Sequence, residues 1–267
     1  MTGTEPGTEP GDSAAGGARG DTTQPTRAPL KLQIPTWSEV TSERAREALE
    51  ALVESADWEL RWSGLSAVED AVRRAVLELY RALGRAPSHA ELGARTALDE
   101  AQIATVLARL AARDLVVLEG SGGALVGAYP LSERDTGHRV EIDGHALNAM
   151  CAVDALGVGA MYGRDARVES SCRACGAPIT VELGDGGAAL GPASPAEPVV
   201  WFGLDYRTGC AATSLCTVIV FFCGAAHFER WRGDNPGAAG HRLSLAEAFE
   251  AAKALFGNRL EAAANAG

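Results

Sequence analysis

The sequence predicts an α+β fold, with a helical N-terminal module ahead of a mixed β-sheet domain with flanking helices. Three observations predict it. Apolar residues recur at helical spacing up to about residue 112, and short strand-like runs take over from His138 onward. All six cysteines of the 267-residue chain lie beyond residue 150.

Residues 1 to about 35 are rich in Gly, Thr, Pro, Ala and Glu and hold almost no large apolar side chain before Leu30. Such a stretch buries too little surface to offset its chain entropy and is predicted to be disordered. A helical pattern from Ser38 to Val53, with Ser38 or Thr41 as N-cap, forms a leader over residues 36–65 that includes Trp58 and Trp62. Within 66–129 the first helix is read from Val68, Val72, Val76, Leu79 and Leu83. Ser88 caps a short helix over Ala90 to Arg95. A third helix runs from Leu98 or Asp99 to Ala112, with Ile103, Val106, Leu107 and Leu110 inward. Leu115 to Leu118 and Ala124 to Ala128 make a hairpin around Gly120-Ser121-Gly122-Gly123. Three helices and a β-wing form a winged-helix-like pattern.

From residue 130 a second domain is expected to run to the end. His138 to Ile142 reads as a strand that turns at Gly144 into a helix carrying Cys151. Ala166 to Ser170 and Ile179 to Leu183 flank a turn, Gly184 to Pro198 reads as a surface loop, and Val199 to Gly203 and Ser214 to Phe222 read as strands. Ser244 to Leu260 is an amphipathic helix.

Charge narrows the function. Lys and Arg total 24 against 35 Asp and Glu, a net charge of -11, which argues against a polyanion partner. The winged-helix-like segment Ser66 to Leu118 balances seven Arg with seven acidic residues, and its third helix offers only Arg109 and Arg113. A structural module is the better reading than a DNA reader. With no apolar run of 18 residues and no signal-like start, no membrane association is expected, and the protein is expected to be cytoplasmic. Its cysteines are then free thiols or metal ligands.

The chemistry centres on Cys151 and Asp154. At i and i+3 on a helix they share a face, so a carboxylate could take a thiol proton and return it elsewhere. Cys216 sits in the apolar run Leu215 to Phe222, and strand alternation points it away from Cys223. Two thiols and an acid suit a soft metal. Against this stands the plain reading of Cys as a small buried hydrophobe. Cys172-x-x-Cys175 has the spacing of half a zinc site, but Cys210, Cys216 and Cys223 offer no second close pair and no His-x-x-x-His pattern completes it. The histidines (His89, His138, His145, His227, His241) are scattered, and none is selected for a Cys-His dyad. Gly157-Val158-Gly159 is read as allowing close backbone approach rather than as a dinucleotide loop.

Taken in order, six blocks resemble the bacterial alkylmercury lyase (organomercurial lyase) family. They are Tyr129-Pro130-Leu131-Ser132, His138 to Asp143, Cys151 to Leu156, Gly163 to Val168, Cys172 to Pro178 and Cys216 to Phe222. The resemblance spans roughly 66 to 260. It implies that Cys151 and Cys216 hold mercury, that Asp154 handles the proton, and that the carbon–mercury bond is cleaved to a hydrocarbon and Hg(II) in mercury resistance. It implies no required cofactor, only Hg(II) held transiently as product. The implied partners are an organomercurial, small thiols and a mercuric reductase that accepts the metal. Cys172 matches a family cysteine thought structural. Cys175, Thr217 and Val218 depart from the family pattern, as does the N-terminal extension. The alternatives are a mercury- or thiol-responsive winged-helix regulator, a homologue acting on another organometallic compound, and a structural zinc protein using Cys172 and Cys175.

Overall fold

The computed structural model describes Met1 and residues 34–55, 61–62, 64–120, 123–207, 209–257 and 259–260. The expected disorder of residues 1–35 falls almost wholly outside these, as do Trp58 and the Ser121-Gly122 tip of the hairpin.

The architecture is α+β. Helix α1 (Glu43–Ser55) buries Ala45, Ala48, Leu49 and Leu52. Ser42, not Ser38 or Thr41, precedes it and receives the Ala45 N–H at 3.4 Å; Ser38 lies in a short 3-10 turn, Trp37–Glu39. Helices α2 (Ala67–Leu83), α3 (His89–Thr96) and α4 (Glu100–Ala112) follow, each opened by a reciprocal capping box: Ser66 with Glu69, Ser88 with Glu91, Asp99 with Gln102. The inward face of α2 is Val72, Ala75, Val76 and Tyr80, while Val68 is exposed. Its first turn carries Asp70, whose carboxylate binds the buried Arg73 at 2.7 Å, so the apolar stripe starts one turn later than the spacing suggests.

Strands β1 (Val116–Glu119) and β2 (Ala124–Ala128) form the expected hairpin. It is not a free wing. β2 pairs with β3 (Leu131–Ser132), and the sheet continues through β5 (His145–Ala149), β4 (Arg139–Ile142), β6 (Ala166–Ser171), β7 (Pro178–Gly184) and β8 (Ala189–Ser194). A second sheet holds β10 (Ile219–Phe222), β9 (Val199–Gly203) and β11 (Gly240–Ser244). Every described strand pair is antiparallel, so the sheets are not mixed as the sequence suggested.

Three readings need correction. Residues 145–149 are a strand, not the start of a helix: Ile142 faces His145 across Asp143-Gly144, both at positive φ (50° and 81°). That is the two-residue hairpin turn that Asp-Gly favours. The stretch 184–198 contains β8, an edge strand, where Pro192 breaks no ladder that a central strand would need. Residues Leu215–Val218 form a 3-10 turn and only Ile219–Phe222 is strand. There the Thr217 hydroxyl donates to the Ser214 carbonyl at 2.6 Å and the Ser214 hydroxyl to Cys210 at 2.8 Å. Local hydroxyl bonds of this kind compete with a ladder.

Helix α5 (Ala152–Tyr162) lies at the centre, buried over nearly its whole length, and packs against α7 (Leu245–Phe256). The close approach read from Gly157-Val158-Gly159 is present: a Cβ at Gly157 would sit 2.3 Å from the Phe256 ring, and one at Gly159 would sit 3.1 Å from Gly187. Helix α6 (Ala225–Asp234) and β11 had no counterpart in the sequence reading.

Candidate active site

Cys151 is the N-cap of α5 rather than a residue inside it, and Asp154 is its third residue. The side chains still meet, by a different geometry. The Cys151 sulfur accepts the Asp154 backbone N–H at 3.3 Å, as a capping hydroxyl would. Cys216 arrives from the 3-10 turn before β10, and its thiol donates to Asp154 Oδ2 at 3.6 Å. The two sulfurs and a carboxylate oxygen all lie within 4.8 Å of one another, and all three residues are buried.

Burial sets the electrostatics. It pushes the Asp154 carboxyl up to about 7, against opposing pulls from the Cys151 hydrogen bond, the Arg259 charge and the Cys216 hydrogen bond. Cys151 is pushed up to about 11, mainly by burial. Cys216 stands well above its ordinary value, first because of its interaction with the Cys151 thiol and then because it is buried. Sitting at the α5 N-terminus partly offsets the cost of negative charge here. At neutral pH the carboxyl is thus poised between its acid and base forms.

The residues around this group enclose a cavity of about 30 Å³, walled by Leu52 of α1, Tyr129, Phe202, Leu215, Leu255 and Phe256, with Arg259 at its edge. That is roughly one water's share of liquid volume. A wider cleft of about 680 Å³ beside Glu141–Ala146 is lined by no cysteine.

Two contributors were invisible in the sequence. Arg259 is buried, stacks on Trp62 with its guanidinium carbon 3.9 Å from the ring centroid, and acts on Asp154 by its charge. Asp114, at the end of α4, accepts the Ala211 N–H at 2.8 Å and the Tyr129 hydroxyl at 2.8 Å. The Tyr129 hydroxyl oxygen in turn accepts the Ala212 N–H at 2.9 Å. The helical module therefore holds the segment that leads to Cys216. A pattern search for chemistry passes over such an acid, because its partners are backbone, a tyrosine and Arg61, all far from it in the chain.

The remaining thiols gather elsewhere. Cys172, Cys175, Cys223 and His227 bring their donor atoms within 4.8 Å of one another. Cys223 joins this cluster and Cys216 the other, and Cys216 lies in a 3-10 turn, so strand alternation does not govern its direction. Burial raises the Cys172 thiol, but backbone N–H donors of Cys223, Ala174 and Cys175 outweigh it and bring it down to about 6. Of the histidines, His227 is the one that meets thiols, and they are not Cys151 or Cys216. His138 is buried beside Ser170, and burial drops it to about 4.

Residues 131–257 match the family model for alkylmercury lyase. The alkylmercury lyase of Pseudomonas putida is 30% identical over 155 residues, which cover 58% of this chain and 70% of that protein. The chain belongs to the alkylmercury lyase family. Another family member, the alkylmercury lyase of Bacillus cereus, is 32% identical over 126 residues, 47% of this chain and 56% of its own. The crystal structure of the mercury-bound form of MerB2 shares the fold, with a TM-score of 0.63 at 23% identity, covering 82% of this chain and all of that one. Thr217 and Val218 line a separate cleft of about 290 Å³ with Trp201 and Trp231.

Proposed function

We propose that this chain is an organomercurial lyase that cleaves the carbon–mercury bond by protonolysis, with Cys151, Asp154 and Cys216 as its reacting groups. One observation carries the reading: two thiols distant in the chain meet a carboxyl in a buried cavity. Mercury(II) is soft and prefers thiolate sulfur, and three groups so placed need no cofactor beyond the substrate's own metal.

The reaction balances as R–Hg⁺ plus two thiols giving R–H, mercury held by two thiolates, and one proton. Asp154, ionised in part because its acid constant sits near neutrality, takes the proton of Cys151 and passes it to solvent. The Cys151 thiolate forms the first sulfur–mercury bond. Cys216 then adds as the second thiolate and its proton passes to Asp154, 3.6 Å away. Two sulfur donors push electron density onto the mercury-bound carbon. Asp154 gives its proton to that carbon, the carbon–mercury bond breaks with its electron pair on carbon, and R–H leaves. Holding the acid and the metal in register contributes several kcal/mol, up to about 7–11 in the best intramolecular cases. A site with room for about one water admits a substrate only when its wall side chains move aside.

Mercury(II) is then drawn off by low-molecular-weight thiols or a mercuric reductase in the cytoplasm. Residues 66–129 act as a winged-helix-like structural module on the catalytic domain 130–267, with 36–65 as a helical leader. Its support is the bonding of Asp114 to the segment before Cys216. The test is hydrocarbon release: benzene from phenylmercury and methane from methylmercury, in stoichiometry with bound Hg(II). No hydrocarbon, together with mercury-dependent retardation of DNA, would favour the regulator instead. Release only from another organometallic compound in a substrate panel would redirect the assignment to that compound.

A further inference from the structure

The second sulfur cluster takes no part in the reaction above, yet it is built like a closed metal site. The β6–β7 loop supplies Cys172 and Cys175, and the junction of β10 and α6 supplies Cys223 and His227. The spacings are Cys-x₂-Cys and Cys-x₃-His. We propose that Cys172, Cys175, Cys223 and His227 bind one structural zinc ion that staples the large sheet to the small one.

Distances support this. Two sulfurs each about 2.3 Å from a tetrahedral zinc lie about 3.8 Å apart. The Cys175 and Cys223 sulfurs are 3.8 Å apart. Cys172 Sγ lies 3.8 Å from His227 Nδ1, near the sulfur–nitrogen edge of about 3.5 Å that the same geometry requires. Cys223 Sγ and His227 Nδ1, now 2.8 Å apart, would open by roughly 0.7 Å to admit the ion. The loop has the shape of a metal knuckle. The Gly176 N–H donates to the Cys172 carbonyl at 2.8 Å, and Gly176 takes the left-handed conformation at φ 71°. Three sulfurs and one imidazole fill a tetrahedron, leaving no position for substrate.

The staple has a mechanical consequence. The Arg173 N–H already donates to the Phe221 carbonyl at 2.8 Å, so the knuckle is tied to β10. That strand begins just after the turn bearing Cys216 and ends just before Cys223. A zinc ion would anchor the far end of the element that presents Cys216.

The test is metal analysis of the full chain, purified with reductant from zinc-supplemented, mercury-free cultures. About one zinc per chain is expected, falling below about 0.2 in a Cys175→Ser, His227→Gln double variant and staying near one in a Cys151→Ser, Cys216→Ser double variant. Folded wild-type protein free of zinc would overturn the proposal. So would zinc that follows Cys151 and Cys216 instead. Should the cluster variant fail to fold, Co(II) added to chelator-stripped wild type decides. Thiolate-to-cobalt charge transfer with tetrahedral bands is expected, and a pale octahedral spectrum, or a Cys175–Cys223 disulfide in place of metal, would refute it.

Discussion

Two sulfur clusters sit in this molecule, and they differ in what accompanies the thiols. Cys151 and Cys216 share a buried cavity with a carboxyl, and three donors leave coordination open for a carbon-bound metal. Cys172, Cys175 and Cys223 share a partly exposed corner with an imidazole, and four donors close the shell. Structural metal sites are closed and catalytic ones keep an open position. Nature of donor, number of donors and burial thus separate a site built to pass mercury through from one built to keep its ion.

The sharpest way to break that distinction is to remove one thiol of the buried pair. Cys151→Ala or Cys216→Ala should abolish hydrocarbon release and lose tight Hg(II) retention under competing small thiols, with zinc content unchanged near about one per chain. Wild-type retention by either variant would erase the difference between the clusters.

A second prediction uses the cost of burying the acid. Asp154 ionises near its ordinary value of 3.8 when unfolded but near about 7 when folded. Between these values the folded state holds a proton that the unfolded state has released. Stability therefore falls as pH rises through that window, by up to about 1.4 kcal/mol per pH unit from this one group, and levels off above it. Chemical denaturation across the window should show the decline in wild type and a flatter profile in Asp154→Asn. Parallel profiles would mean the carboxyl is not desolvated as the structure has it.

Smaller effects test the frame around the buried pair. Gly157→Ala forces a methyl against the Phe256 ring and should cost about 1–3 kcal/mol, read as a lowered denaturation midpoint. Tyr129→Phe removes the acceptor for the Ala212 N–H and the donor to Asp114. It should cost about 1–2 kcal/mol and slow turnover by loosening the Cys216 segment, without altering zinc content.

Much of this was legible in sequence where one local rule decided the outcome. The helix starts at Ser88 and Asp99 follow from a capping residue three positions before Glu91 or Gln102, and the buried face of α4 follows from spacing alone. Cys151 and Asp154 were found through the i, i+3 relation, although the geometry that unites them is a cap and not a shared helix face. The strand 145–149 escapes the sequence because Gly144 reads as a turn into a helix, whereas Asp143-Gly144 together make a hairpin turn. Cys216 was put in a strand because its apolar neighbours hide the hydroxyls of Ser214 and Thr217 that wind the turn. The partners of Cys172 and Cys175 could not be read at all. Cys223 and His227 lie about fifty residues away, and only the packing of one sheet on the other brings them together.

The most direct test is a single measurement on Asp154→Ala: hydrocarbon in the headspace over methyl- or phenylmercury, with Hg retained on the protein counted in the same sample. The organomercurial should remain bound through sulfur while hydrocarbon release drops by about 10²–10⁴-fold, the usual worth of a positioned acid. Release at the wild-type rate would remove Asp154 as the proton donor and the proposed mechanism with it.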